Sequence, residues 1–130
     1  MDIVIIVACP TSRDGNPVWK LLEELSLALL DHSFTVRRIL EYPPDYPLHY
    51  PAVALVDPDF LTQEWARNYA HQLMWASMLI PVDLVSDDPE NWLRNPALGS
   101  LKERFPVWAG DGLTPEVIHK IVEAIMLRQQ

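Results

Sequence analysis

Three largely apolar runs constrain the fold more than any other feature of this 130-residue chain. Ile3 to Ala8, which is rich in β-branched side chains, and Ala52 to Val56 are apolar throughout, and Met78 to Val85 is apolar except for Asp83. A strand with one face in water alternates apolar and polar residues, whereas a strand buried on both faces is apolar throughout. The runs therefore predict inner strands of a parallel sheet covered by helices. Pro81 in the third run favours an edge or a bulge, because proline lacks an amide N–H.

Strand-like and helix-like segments alternate along the whole chain. Beyond the three runs, the predicted elements are a helix from Val18 to Leu30, a strand with one wet face from Phe34 to Leu40, a helix from Leu61 to Ser77, a short strand from Phe105 to Trp108, and a helix capped by Thr114 with Pro115 first. This order predicts one α/β domain spanning residues 1–130, a flavodoxin-like three-layer sandwich whose mostly parallel sheet has about five strands.

Two segments fit neither pattern. Glu41 to Pro51 contains four prolines together with Tyr42, Tyr46 and Tyr50, which predicts an extended or turning connection and excludes a helix. We interpret it as a stiff surface connection whose tyrosines cover the sheet edge; the alternative is a ligand for an aromatic-lined groove. Ser86 to Ser100 is predicted to be polar and irregular, with a short helical turn near its tryptophan.

Charge and composition exclude several classes of function. The net charge is −8, and lysines and arginines are scattered, so binding to nucleic acid or to an anionic membrane surface is not expected. No apolar run approaches the roughly 20 residues of a membrane span, and no basic segment precedes the first apolar run. Cys9 is the only cysteine, which predicts a reducing compartment such as the cytoplasm.

Few residues carry the signature of a cofactor or a metal. The sequence has neither a phosphate-binding glycine loop nor histidines at metal-binding spacing, so no cofactor and no metal are predicted. Ser12 and Asp14 follow the first strand, where ligands of α/β proteins usually bind, although such a loop is more often a turn that caps a helix.

The segment from Val53 to Trp65 resembles the central motif of Toll/interleukin-1 receptor (TIR) domains. In that family an apolar strand runs into a Ser-Pro-x-Tyr/Phe-Leu turn and then a helix with a tryptophan; here the turn is Asp57-Pro58-Asp59-Phe60-Leu61. Met78 to Val82, followed by Asp87-Asp88-Pro89, is similar to the family's next strand and loop. The resemblance implies a TIR-like fold, and many TIR domains cleave NAD at the bond between nicotinamide and ribose.

Departures from the family pattern argue against NAD cleavage. The family's catalytic glutamate stands four residues after the helix tryptophan, and here that position is Tyr69, whose neutral phenol stabilises positive charge on ribose poorly. Glu64 is a weak substitute, because it points about 100° away from Trp65 on the helix. The connection before the third strand is too short for the family's extra helix, and Asp57 replaces a serine. We expect Tyr69 to pack beside Trp65.

The resemblance implies a domain for signalling by protein–protein interaction or self-association, without NADase activity, in a prokaryotic defence or conflict system. The candidate interaction residues are Tyr42, Tyr46, Tyr50, Trp75 and Trp92. The two tryptophans are expected to be exposed, and the alternative is that one of them belongs to the core. The ligand-edge candidates are Ser12, Asp14, Asp57, Trp65 and Tyr69. The alternatives are an NAD glycohydrolase that uses Glu64 or Asp14, and a nucleotide sensor. TIR-like units often sit beside other domains, so the chain is also compatible with a piece of a longer protein.

Overall fold

The computed structural model of the chain describes residues 3–10, 17–41, 47–104 and 106–129 and contains a five-stranded, all-parallel sheet. The strand order is β2-β1-β3-β4-β5. The strands are β1 (Ile3–Val7), β2 (Thr35–Ile39), β3 (Ala52–Val56), β4 (Leu79–Asp83) and β5 (Val107–Trp108). The predicted flavodoxin-like three-layer α/β sandwich is confirmed.

The inner strands β1 and β3 are apolar throughout, and β4 is apolar up to its last residue, Asp83, because each buries side chains on both faces. Along β1, Ile5 and Val7 belong to one hydrophobic cluster, whereas Val4 and Ile6 belong to the cluster on the opposite face. Every residue of β3 and β4 is buried. Successive side chains of a strand point to opposite faces, so continuous apolar runs are required here.

Helices cover both faces of the sheet. They are α1 (Pro17–Asp31), α2 (Pro58–Thr62), α3 (Glu64–Trp75) and α4 (Pro115–Arg128). Side chains of α1 and α4 fill one cluster, and those of α2 and α3 fill the other. As predicted, Thr114 caps α4, and its hydroxyl accepts a hydrogen bond from the Val117 amide at 3.2 Å.

The helix predicted from Leu61 to Ser77 is two helices. Gln63 adopts an extended backbone with φ −89° and ψ 115°, and it separates α2 from α3. Its N–H donates to the Phe60 carbonyl, which ends α2, while its own carbonyl accepts from Arg67 in the first turn of α3. The apolar periodicity runs across this break, which is why the sequence pattern did not reveal it.

The segment predicted as a polar excursion contributes to the hydrophobic interior. It forms two 3₁₀ segments, Pro89–Arg94 and Pro96–Glu103, and the second is interrupted at Gly99, which has a φ of +55°. Trp92, Leu98 and Leu101 are buried in the same cluster as α3.

Strands at the edges of the sheet are less buried than the inner strands, and β2 is accordingly less apolar. The edge strand β2 is mostly exposed, as predicted, and its Arg38 guanidinium contacts both carboxylate oxygens of Glu23 on α1, at 3.1 and 3.3 Å. Charged residues on an edge strand oppose pairing with another sheet. Pro81 lies inside the sheet, but β5 pairs only with Val82 and Asp83, so Pro81 precedes the covered part of β4.

Among the helices of the described residues, none has both the length and the apolar character needed to cross a membrane.

Candidate functional site

The carboxyl ends of the parallel strands meet at one edge of the sheet, which is where open α/β proteins usually bind ligands. In the described residues this edge carries Cys9 after β1, Asp57 after β3 and Asp83 at the end of β4. Ser12 and Asp14, the predicted candidates of the first loop, lie outside the described residues. One thiol and two carboxylates therefore stand directly at the ends of these three strands.

Asp57 serves as the N-cap of α2. Its Oδ1 accepts a hydrogen bond from the Phe60 amide at 2.8 Å, and Pro58 occupies the first helical position. The residue is only 6% exposed. Burial raises the pKa of its carboxyl, the hydrogen bond from Phe60 opposes this rise, and the nearby charge of Asp59 adds to it. Asp57 thus has a structural role, and it brings negative charge to the edge.

Cys9 is buried at the end of β1. Burial, and to a lesser extent the negative charges of Asp57 and Asp59, raise the pKa of its thiol from 9.0 to about 12. The thiolate is the nucleophilic form of cysteine, so this thiol is a poor nucleophile near neutral pH.

Glu64 and Trp65 stand at the start of α3. The Glu64 side chain is exposed, whereas Trp65 is half-buried and packs against the cluster beneath α3. The two neighbours thus lie on different faces of the helix, as their spacing predicts. Glu64 is a solvent-exposed carboxylate beside the edge.

Tyr69, a ligand-edge candidate of the sequence analysis, is completely buried. Its ring belongs to the cluster against which Trp65 packs, which is the packing role that we expected. Its hydroxyl donates a hydrogen bond of 2.7 Å to the carbonyl oxygen of Pro47, which is also buried. The phenol is therefore enclosed and already bonded, so it does not line an open site.

The candidate interaction residues are placed very differently from one another. Trp75, at the end of α3, is 79% exposed, as predicted. Tyr50 is half-buried against the cluster beneath α3 and contacts the His49 ring edge-on, with centroids 5.7 Å apart. Trp92, in the first 3₁₀ segment, is only 1% exposed, which contradicts its expected exposure and agrees with the alternative that one of the two tryptophans belongs to the core. Tyr42 and Tyr46 lie outside the described residues.

Asp83 is a polar residue that the sequence analysis did not select. It is completely buried, and its Oδ1 accepts hydrogen bonds from the amides of Val85 and Ser86, both at 3.0 Å. Its Oδ2 has no hydrogen-bond partner among the described residues. The available sequence signal was a carboxylate at the end of an otherwise apolar run, in the same position that Asp57 occupies after β3.

A shallow hollow of about 280 Å³ lies beyond the end of β4. Its lining is mostly polar and consists of Val85, Ser86, Asp87, Asn91, Arg94, Asn95 and Pro96. The Trp108 indole Nε1 donates to the Ser86 carbonyl at 3.0 Å, which ties the rim of the hollow to β5. The first 3₁₀ segment supplies Asn91 and Arg94, and Asp88 caps this segment by accepting from the Glu90 and Asn91 amides.

Within the part of the chain that the structure describes, no three His, Cys, Asp or Glu side chains are grouped to hold a metal ion. Asp57 and Asp83 instead accept hydrogen bonds from backbone amides. These carboxylates act as local acceptors that organise the turns after β3 and β4.

Comparison with known proteins adds no assignment. No protein-family model matches this chain, and no curated protein matches it. Function therefore has to be argued from the site itself. Around α3 and the ends of β1 and β3, the site consists of an enclosed tyrosine, a thiol held neutral by burial, a capping carboxylate and the exposed Glu64.

Proposed function

We propose that this chain is a TIR-like domain that acts through protein–protein interaction and does not hydrolyse NAD. The observation that carries the proposal is the state of Tyr69, which is fully buried and bonded through its hydroxyl to the Pro47 carbonyl. The assignment to the TIR-like class rests on the resemblance of the segment from Val53 to Trp65 to the central motif of TIR domains. The proposed setting in a prokaryotic defence or conflict system rests on the same resemblance.

The chemistry of NAD cleavage explains why Tyr69 matters. Breaking the bond between nicotinamide and ribose develops positive charge on the ribose, which a fixed negative group stabilises. Tyr69 provides neither a charge nor access, since its side chain is enclosed. Asp57 is buried, with Oδ1 engaged as a helix cap, and Cys9 is neutral near pH 7. Each of these groups is therefore unsuited to the chemical step.

Exposed apolar side chains support the interaction role. Trp75 is a large aromatic with most of its surface in solvent, and aromatic residues are frequent anchors of protein interfaces. Further apolar side chains are exposed on the outer faces of α1 and α4, namely Leu27, Leu30, Met126 and Leu127. A partner protein, or a second copy of the chain, that covers Trp75 would remove a costly apolar surface from water.

The proposed lack of catalysis is tested by measuring nicotinamide release from NAD by the purified chain at high concentration, with and without a crowding agent that promotes assembly. We expect no release above a buffer blank. Glu64→Gln is the control for a displaced carboxylate, because Glu64 is exposed near the edge and neither packs in the interior nor caps a helix. Turnover that disappears in Glu64→Gln would overturn the proposal and favour the alternative, an NAD glycohydrolase.

The proposed interaction is tested by sedimentation of the chain alone and with candidate partners. We expect Trp75→Ala to weaken association by about tenfold or more, the effect of removing an aromatic anchor. The matched control is Gln72→Ala, because Gln72 is also exposed and lies on the same helix. Equal association by both variants and the unmodified chain would remove Trp75 from the interface.

A further inference from the structure

The polar hollow at the end of β4 combines unsatisfied polar atoms with opposite charges. Among the described residues, four buried side-chain atoms have no hydrogen-bond partner, and three of them belong to Asp83, Ser86 and Trp92. Ser86 lines the hollow, Asp83 accepts from the amides of its rim, and Trp92 lies in the 3₁₀ segment that forms its wall. Of these three side chains only Ser86 belongs to the lining itself, and its buried hydroxyl, which has no partner among the described residues, is a hydrogen-bonding group that a bound molecule can satisfy.

The charges of the hollow define the kind of ligand. Arg94 and Asp87 both line it, yet neither forms an ion pair in the part of the chain that the structure describes. A net anion is opposed by Asp83, Asp87 and the overall charge of −8, and a net cation is opposed by the guanidinium of Arg94. A molecule that carries one charge of each sign satisfies both groups without a net electrostatic cost.

We propose that this hollow binds a small zwitterion of the amino-acid type, with a carboxylate facing Arg94 and an ammonium group facing Asp87. Guanidinium and carboxylate groups form parallel, charge-assisted hydrogen bonds, which orient the ligand. The hydroxyl of Ser86, and the side-chain oxygen of Asn91, whose amide nitrogen already donates to Asp88, offer a donor and acceptors around these two anchors. A volume of about 280 Å³ restricts the ligand to a small molecule.

The test is a titration of the isotopically labelled full chain with free amino acids, one at a time, followed by two-dimensional NMR of N–H groups. We expect saturable shifts confined to the amides of Val85 and Ser86, the side-chain amide of Asn91 and the indole N–H of Trp108, which bonds to the Ser86 carbonyl. Acetate and methylammonium, which carry one half of the charge pattern each, are expected to bind about tenfold or more weakly than the best amino acid.

Two variants and two matched controls complete the experiment. Arg94→Gln and Asp87→Asn are each expected to weaken binding by about tenfold or more, since each removes one charge-assisted contact. Arg67→Gln and Asp31→Asn also remove exposed charges, but outside the lining of the hollow, and are expected to leave binding unchanged. The proposal is overturned if no amino acid shifts these signals, or if acetate binds equally well and Asp87→Asn has no effect. The unperturbed remainder of each spectrum shows that the variant is folded.

Discussion

The hydroxyl of Tyr69 donates a 2.7 Å hydrogen bond to the carbonyl of Pro47, although the two residues are 22 positions apart in the sequence. The bond joins the middle of α3 to the chain that leads into β3, and both residues are buried. Tyr69 thus forms an internal structural contact. If the proposed TIR-like assignment holds, the position of the family's catalytic glutamate is closed to substrate in this chain.

Loss of this hydroxyl is expected to destabilise the chain. Tyr69→Phe keeps the ring but leaves the buried Pro47 carbonyl without this donor, which costs about 1–3 kcal/mol of the free energy of unfolding. The measurement is urea unfolding followed by circular dichroism. The control is Tyr50→Phe, because Tyr50 is half-buried and its hydroxyl has no hydrogen-bond partner among the described residues. Equal stability of the two variants would contradict a structural role for the bond.

Placing at position 69 the glutamate that the proposed TIR-like assignment calls for is expected to give no NAD cleavage. Tyr69→Glu places a carboxylate in a completely buried position among apolar side chains, and an unpaired buried charge costs several kcal/mol. We expect a large fall in the urea midpoint and no nicotinamide release from NAD. A folded Tyr69→Glu variant that turns over NAD would show that the position opens to substrate.

The fold could be predicted because its strongest signals are local. Each signal reflects the burial or capping of the residues that carry it. These signals are the three apolar runs, the threonine and proline at the start of α4, and the charged residues of β2. The break at Gln63 and the 3₁₀ segments were not predicted. Apolar periodicity does not report a single extended residue, and a proline-bounded segment with few apolar residues gives no clear period.

The site was less predictable because it depends on which distant segments meet. The partner of Tyr69 is a backbone carbonyl at the end of a proline-rich segment, and any residue type supplies a carbonyl, so no side chain in the sequence marks the contact. The burial of Trp92 depends in the same way on the cluster formed by α3 and the second 3₁₀ segment. Trp75, by contrast, ends its helix on the outer face, and its exposure follows from helical spacing.

Truncation to alanine is expected to reduce the stability of the chain strongly at Trp92 and very little at Trp75, although both were candidate interaction residues. Trp92→Ala removes a fully buried ring and is expected to cost about 3–5 kcal/mol of stability. Trp75→Ala removes an exposed ring and is expected to change the stability of the isolated chain by no more than about 0.5 kcal/mol. Urea unfolding of both variants provides the comparison. A loss of several kcal/mol in Trp75→Ala would place Trp75 in the interior of the chain or of a stable oligomer.

Ionisation of Asp57 is expected to reduce stability as the pH rises. Its pKa in the folded chain is raised above the ordinary 3.8, mainly by burial, so the folded state holds the proton more tightly than the unfolded state. The stabilisation that this carboxyl contributes is fully present when the pH is below 3.8, its ordinary pKa. It is lost as the pH rises through the higher pKa that the carboxyl has in the folded chain. Asp57→Asn keeps an acceptor for the Phe60 amide but cannot ionise.

Unfolding in urea across the acid range checks this expectation. Asp57→Asn should be at least as stable as the unmodified chain at pH 7, and the difference should shrink as the pH approaches 3.8. Asp57→Ala, which lacks the cap, should be less stable than Asp57→Asn by about 1 kcal/mol at every pH. If Asp57→Asn were clearly the less stable chain at pH 7, the charged form of Asp57 would be stabilising, contrary to the effect of its burial.

The single thiol offers a direct measure of how tightly the carboxyl edge of the sheet is closed. Burial and the charges of Asp57 and Asp59 raise the pKa of Cys9 from 9.0 to about 12, which lowers the thiolate fraction near neutral pH by about 1,000-fold. We expect a thiol reagent to modify the native chain at least that much more slowly than the chain unfolded in urea. Cys9 is the only cysteine, so the signal has one source. Rapid modification of the native chain would mean that the end of β1 opens to solvent, and a site at that edge would then be accessible to ligands.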